Sequence, residues 1–185
     1  QKAQSLWSFR PCRRWTSTNA GSYPARMSNR PDPVQPADAD ARALAQRLLS
    51  LGHAALAWTD PDSGTPGISR IAFARDPEAG LLTLVSGLAP HFNALRKHPD
   101  CALMLGEVGD KGDPLTHPRL MIRARASFVA PDDPARPALR SRWLDRNPKA
   151  QVYIDLPDFA FVRLTPQTAL LNGGFARAFR LAPED

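Results

Sequence analysis

Leu81-Leu82-Thr83-Leu84-Val85-Ser86-Gly87-Leu88-Ala89-Pro90-His91-Phe92-Asn93-Ala94-Leu95-Arg96 is the stretch on which the reading of the fold turns. Leu81 to Ser86 is a short, nearly continuous apolar run, the pattern of a strand buried on both faces rather than of one with a wet side. Small residues then carry the chain into a helical pattern from Ala89 to His98, which Pro99 ends. Upstream, His53 to Thr59 stops at the turn signal Asp60-Pro61-Asp62-Ser63-Gly64. Ile68 to Ala74 stops at Asp76-Pro77-Glu78-Ala79-Gly80, so three strands form a meander.

Downstream, Cys101 to Glu107 reads as a strand, followed by a Gly- and Asp-rich loop from Gly109 to Pro118. Leu120 to Val129 alternates, with Ile122, Ala124, Ala126 and Phe128 on one face and Arg123, Arg125 and Ser127 on the other. Phe159 to Leu164 and Ala169 to Leu171 predict two more strands. Helices are expected at Asp40 to Leu51 and at 134–147, where Leu139, Trp143 and Leu144 face inward. Strands outnumber helices, and none of them alternates with helices as a parallel sheet requires. The fold class is mainly β (α+β): an antiparallel barrel of six to seven strands with short flanking helices.

The chain has 185 residues, 43% of them hydrophobic, which suits one domain with an attachment. No run approaches the roughly 20 apolar residues of a membrane span. Its formal charge of +6 is confined to one end: residues 1–31 hold six basic residues and no acid, leaving 18 of each sign in 32–185. That distribution gives the folded part no basic face for nucleic acid. Residues 1–36 read as a disordered basic tail and linker, with Pro31, Pro33 and Pro36 blocking helix, and 37–185 as the domain. The leader resembles an organelle transit segment, whereas Met27 before Ser-Asn-Arg-Pro reads as an ordinary start. Deleting residues 1–26 is expected to leave the melting temperature unchanged; a large drop would show that the tail packs on the barrel. Two cysteines, Cys12 and Cys101, have no metal spacing and suit a reducing cytoplasm.

Three clusters could carry chemistry. Ser86, His91, Asn93 and Arg96 surround a helix start, where unpaired amides favour an anion; a plain Ser-capped turn has the same composition. His117-Pro118-Arg119 opens the alternating strand, and Arg119 suits a phosphate or a polar ring edge, or simply a wet rim. Asn172-Gly173-Gly174-Phe175-Ala176-Arg177 permits either close approach of a ligand or a hairpin. The four histidines never fall at metal spacing, no P-loop, GxSxG elbow or HExxH occurs, and no catalytic residue is assigned.

Taken together with Gly67-Ile68-Ser69-Arg70, Asn147-Pro148-Lys149-Ala150 and Asp158-Phe159-Ala160, these blocks resemble the FMN-binding split-barrel superfamily of pyridoxamine 5'-phosphate oxidase, specifically its haem-utilisation (HugZ/HutZ-like) branch, over about residues 38–182. The resemblance implies a homodimer of split barrels with FMN at the subunit interface. Ser69, Arg70 and Ile71 would run along the flavin ring. Ser86, Leu88, His91, Asn93 and Arg96 would surround the ribityl phosphate, Arg119 would reach the ring edge, and Gly174 with Arg177 would close the pocket.

Two departures shape the expected function. The oxidase branch engages pyridoxamine through a C-terminal Arg-Leu-His, where this chain has Phe175-Ala176-Arg177-Ala178, so vitamin B6 oxidation is not expected. Haem-degrading relatives use a histidine near their C-terminus, and this sequence has none after His117, which leaves His117 as the one substitute and predicts weak or absent haem binding. The expectation is a cytoplasmic FMN-dependent oxidoreductase acting on a small organic substrate. Its alternative is a non-enzymatic flavin- or haem-binding protein.

Overall fold

The computed structural model describes residues 32–182 and residue 185. The basic tail up to residue 31 lies outside them. Within them the chain is mostly sheet: β1 (Val34–Pro36), β2 (His53–Thr59), β3 (Pro66–Ala72), β4 (Ala74–Asp76), β5 (Gly80–Ser86), β6 (Asp100–Leu105), β7 (Arg119–Phe128), β8 (Phe159–Asn172) and β9 (Ala178–Leu181). Three α-helices flank it, α1 (Ala39–Leu48), α2 (Pro90–Lys97) and α3 (Arg136–Arg146), with 3-10 turns at Pro114–Thr116 and Pro148–Val152.

All nine strands form one sheet, in the order β1-β9-β8-β7-β6-β2-β3, with β4 paired to β5 and β5 to β8. Only Phe73 separates β3 from β4, so the chain passes from pairing β2 to pairing β5. The ladders thereby return on themselves, with β5 closing onto the first half of β8. Burial drives this closure, because a sheet that curls covers its inner face without a second layer.

The quoted run shows why it is apolar at nearly every position. Leu81 and Val85 of β5 face the barrel interior with Leu56, Leu103, Leu120, Ile122, Val162 and Leu164. Leu82 and Leu84 face the other way, into a second core of Trp143, Leu139, Ile154 and Phe161 beneath α3. Trp143 and Phe161 meet edge to face at 5.7 Å. Thr83 is fully buried and its hydroxyl donates to the Ala72 carbonyl at 2.7 Å. Helix α1, capped by the Asp38 carboxylate accepting from the Ala41 amide at 2.7 Å, places Ala41 and Ala45 on the barrel core. Cys101 behaves as a half-buried core residue, and burial, then Asp100, pushes its thiol up to about 11.

The sheet differs from the expected one in count and direction. It has nine strands rather than six or seven, and it is mixed, because β1 runs parallel to β9. Two of the additional strands are only three residues long, too short for alternation to register. The last residues of the stretch read as tail and linker thus form an edge strand at 34–36, anchored by the Ala37 amide on the Arg180 carbonyl at 3.2 Å. The two strands expected at 159–164 and 169–171 are one strand of 14 residues.

The outer face of β3, β2, β6, β7 and β8 carries mostly apolar residues in two adjacent rows, interrupted by Arg70, Arg123 and Thr168. Register aligns Arg70, Ala55, Met104, Met121 and Leu170 in one, and Ile68, Ala57, Ala102, Arg123 and Thr168 in the next. Ile68 is 77% exposed and Met104 50%. No helix among the described residues is long and apolar enough to cross a membrane.

Candidate functional site

The expected site residues fall into two groups and three outliers. The first group gathers on β3, the end of β5 and the start of α2. Trp58 and Gly67 face each other across the β2–β3 ladder, and the indole lies over the glycine so closely that a Cβ there would stand 2.4 Å from the ring. Its Nε1–H donates to Ser69 Oγ at 3.0 Å, and Ser69 Oγ lies 3.1 Å from His91 Nδ1. Trp58 can only donate. Ser69 Oγ accepts that proton and can donate its own O–H to Nδ1, the arrangement in which the imidazole proton sits on Nε2. His91 is buried, and burial lowers its pKa below the ordinary histidine value, so the ring is neutral near pH 7. Nε2 has no partner among the described residues and is not sealed from solvent. It is an outward donor held in place from behind.

Ser86 stands beside this group but is engaged elsewhere. Its hydroxyl donates to Asp158 Oδ2 at 2.9 Å and accepts from the Leu88 amide at 3.2 Å. The Gly87 amide donates to the Asp158 carbonyl at 2.6 Å and the Ala89 amide to the Ser86 carbonyl at 3.0 Å. The three amides expected to greet an anion are thus already paired, and a carboxylate faces Ser86. Leu88 projects at the tip of this turn, and Asn93 is exposed on the first turn of α2.

The second group lies where β7 begins and β8 ends. Arg119 pairs with Asn172 across the β7–β8 ladder, and its guanidinium donates to the carbonyls of Leu115 at 2.9 Å and His117 at 3.5 Å. Gly174 has φ of +126°, a conformation that favours glycine, and a Cβ there would stand 3.6 Å from the Thr116 carbonyl. Arg177 lies over the Phe179 ring at 5.6 Å. The Gly-Gly stretch is the hairpin turn joining β8 to β9, closed by the Gly173 amide on the Arg177 carbonyl at 2.7 Å. In one chain Arg119 is separated from Ser69 by three strand spacings, roughly 14 Å along the sheet. The two groups do not meet within one chain.

Three expected residues stand apart. Ile71 is in the barrel core, 5% exposed, so its side chain cannot line a ring from within this chain. Arg70 is on the outer sheet face, opposite in pleat to Ser69. Arg96 is turned away from His91 and lies over the rings of Phe92 and Phe128, at 5.9 and 5.6 Å. His117 is fully occupied: Nδ1 accepts from the Gly109 amide at 2.7 Å, and Nε2 lies 2.9 Å from the Lys111 carbonyl, so the ring ties the 109–117 loop together. No group of three His, Cys, Asp or Glu among the described residues could hold a metal ion.

Sequence reasoning missed Trp58 and gave no role to Asp158. Trp58 was recoverable: with Asp60 to Gly64 read as the turn, a large aromatic falls opposite Gly67, and such a pairing marks a ring lying over bare backbone.

A closed sheet that passes from β3 to β4 to bridge its two halves, with donors gathered at its edge strand, defines a split barrel. No protein-family model matches the chain. Over 116 residues it is 32% identical to the chloroplast haem oxygenase HOZ of Arabidopsis thaliana, covering 63% of this chain but 34% of that protein. Among solved structures, a haem-binding protein from Mycobacterium smegmatis is 26% identical, with a TM-score of 0.65 over 84% of this chain and 60% of the other. HutZ, the haem storage protein of Vibrio cholerae, shares the fold at 23% identity and a TM-score of 0.64, over 76% and 97% of the two chains. A pyridoxamine 5'-phosphate oxidase homologue from Listeria innocua shares it at 16% and 0.54, over 72% and 98%. The chain has the split-barrel fold of pyridoxamine 5'-phosphate oxidase-like proteins, and its structural neighbours include haem-binding, HugZ/HutZ-like ones. It spans about a third of the curated relative's length.

Proposed function

We propose that this chain is a cytoplasmic, homodimeric FMN-binding protein, acting as an oxidoreductase on a small organic substrate. The observation that carries the reading is the Trp58–Ser69–His91 chain, in which three residues from β2, β3 and α2 are ordered to present one neutral N–H donor at the start of a helix. FMN, when bound, supplies the redox centre. The residues here bind and orient it. His91 Nε2–H and the Asn93 side-chain amide are the donors left for phosphate, helped by the dipole of α2, since the Ser86 hydroxyl and Gly87 amide are taken by Asp158 and the Leu88 and Ala89 amides by Ser86. Arg119, Gly174 and Arg177 would then come from a second copy. The mostly apolar outer face bearing Ile68, Met104, Met121 and Leu170 supports that dimer, because an uncovered sheet face of this kind marks an interface.

The second reading is haem binding, favoured by the names of the relatives at 32% and 26% identity. Through His91 it requires the other tautomer, with Nδ1–H donating to Ser69 and a bare Nε2 toward iron. One titration separates them. The purified protein is expected to sediment as a dimer, to quench FMN fluorescence at one FMN per chain, and to give no sharp Soret band with haemin; His91→Ala should weaken FMN at least about tenfold. A Soret band saturating at one haem per chain without FMN quenching would replace the first reading by the second.

A further inference from the structure

On the far side of α2 from His91 lies a cleft of about 750 Å³, walled by α2, the end of β7, the start of α3 and the 155–160 segment. Its surface is mixed, the apolar part coming from Phe92, Phe128, Phe159 and prolines 99, 131 and 157. Two guanidinium groups line it. Arg96 lies over Phe92 and Phe128, which meet edge to face at 5.0 Å, and Arg136 over Phe161 at 5.8 Å. Neither forms an ion pair among the described residues.

The acids of the cleft are differently placed. Asp155 is held by both nitrogens of a bidentate Arg140, at 2.7 and 2.6 Å, so that pair is neutral as a unit. Asp158 accepts from Ser86 and forms no ion pair among the described residues. Two free cations against one uncompensated carboxylate leave a single positive charge in excess over an aromatic floor. A guanidinium spread on a ring is weakly hydrated and keeps its N–H edge available, which suits a planar carboxylate.

We propose that this cleft is a second ligand site, for a flat, apolar monocarboxylic acid, distinct from the site around Ser69 and His91. Charge excess selects the single negative charge, and the aromatic walls select the flat body. Arg96, expected at the flavin phosphate, belongs here instead.

The probe is 1-pyrenebutyrate, followed by its fluorescence on the full chain, with 1-pyrenebutanol as the uncharged analogue. The acid is expected to bind at least about tenfold more tightly than the alcohol. Arg96→Gln and Arg136→Gln should each erase that preference with the melting temperature unchanged, while His91→Ala leaves it intact. Equal binding of acid and alcohol, a preference that survives both arginine substitutions, or displacement of the acid by FMN one for one would overturn the proposal. Loss of FMN binding in His91→Ala with acid binding retained keeps this test separate from that of the flavin site.

Discussion

Replacing Asp76 by Ala is expected to cost about 1–3 kcal/mol of stability. Its side chain is 4% exposed and accepts from Arg142 Nε at 2.6 Å and Nη2 at 3.1 Å, and from the amides of Ala79 at 2.7 Å and Glu78 at 3.0 Å. Arg142 belongs to α3, so one carboxylate closes the β4–β5 turn and pins the helix over Trp143. Truncation leaves two turn amides without an acceptor and Arg142, partly exposed, with only Glu78 at 3.3 Å. Burial by itself would push this carboxyl up, but the Arg142 hydrogen bonds and the two amides outweigh it and hold the pKa below the usual carboxylate range. A folded value below the unfolded one means the stabilisation is complete above about pH 4 and is lost as pH falls through the folded value. Urea midpoints of the two proteins should therefore lie far apart at pH 7 and converge in acid. A gap that stays constant with pH would show that the carboxylate's charge contributes nothing.

Gly67→Ala is expected to disable the proposed FMN site from a position with no side chain. The added methyl would stand 2.4 to 2.6 Å from three atoms of the Trp58 ring, distances that no packed pair tolerates. The indole must move, at a cost of about 1–3 kcal/mol, and its Nε1–H leaves Ser69. Ser69 then loses the donor that holds it beside His91, and FMN affinity should fall at least about tenfold. Trp58→Phe separates the two effects, since it keeps most of the ring and removes the N–H: affinity should fall while stability changes little. If Gly67→Ala binds FMN as well as the parent, Trp58 plays no part in ordering His91.

Much of the barrel was readable because its strands obey one of two patterns. β7 alternates cleanly, and β5 is apolar throughout because both of its faces are covered by different cores. β8 escaped as a single strand because Pro166 and Gln167 interrupt it. The register against β7 shifts between Arg123 and Ala124, opposite Thr168 and Pro166, so Gln167 is the extra residue of a bulge and the proline sits where a ladder donor is not required. β1 was hidden by its prolines for the same reason, being an edge strand.

The site was legible in part. Ser69 and His91, 22 residues apart, do meet. Arg96 failed on helical phase: five residues beyond His91 at 3.6 residues per turn, it points roughly 140° away. Asp158 failed because nothing local announces that a carboxylate 72 residues downstream will occupy the Ser86 hydroxyl.

The 14-residue β8 has a bearing on how the chain is born. It pairs with β5, β7 and β9, so the ring has no closing seam until the last quarter of the sequence has left the ribosome. Until then Leu81 to Val85, apolar toward both sides, is an unsatisfied strand with a free edge, the kind of segment on which nascent chains associate wrongly. Late-arriving β8 sets the pace: pairing across more than 70 residues carries a loop-closure cost that local hairpins such as β2–β3 escape, and folding of the barrel should be slow relative to its size.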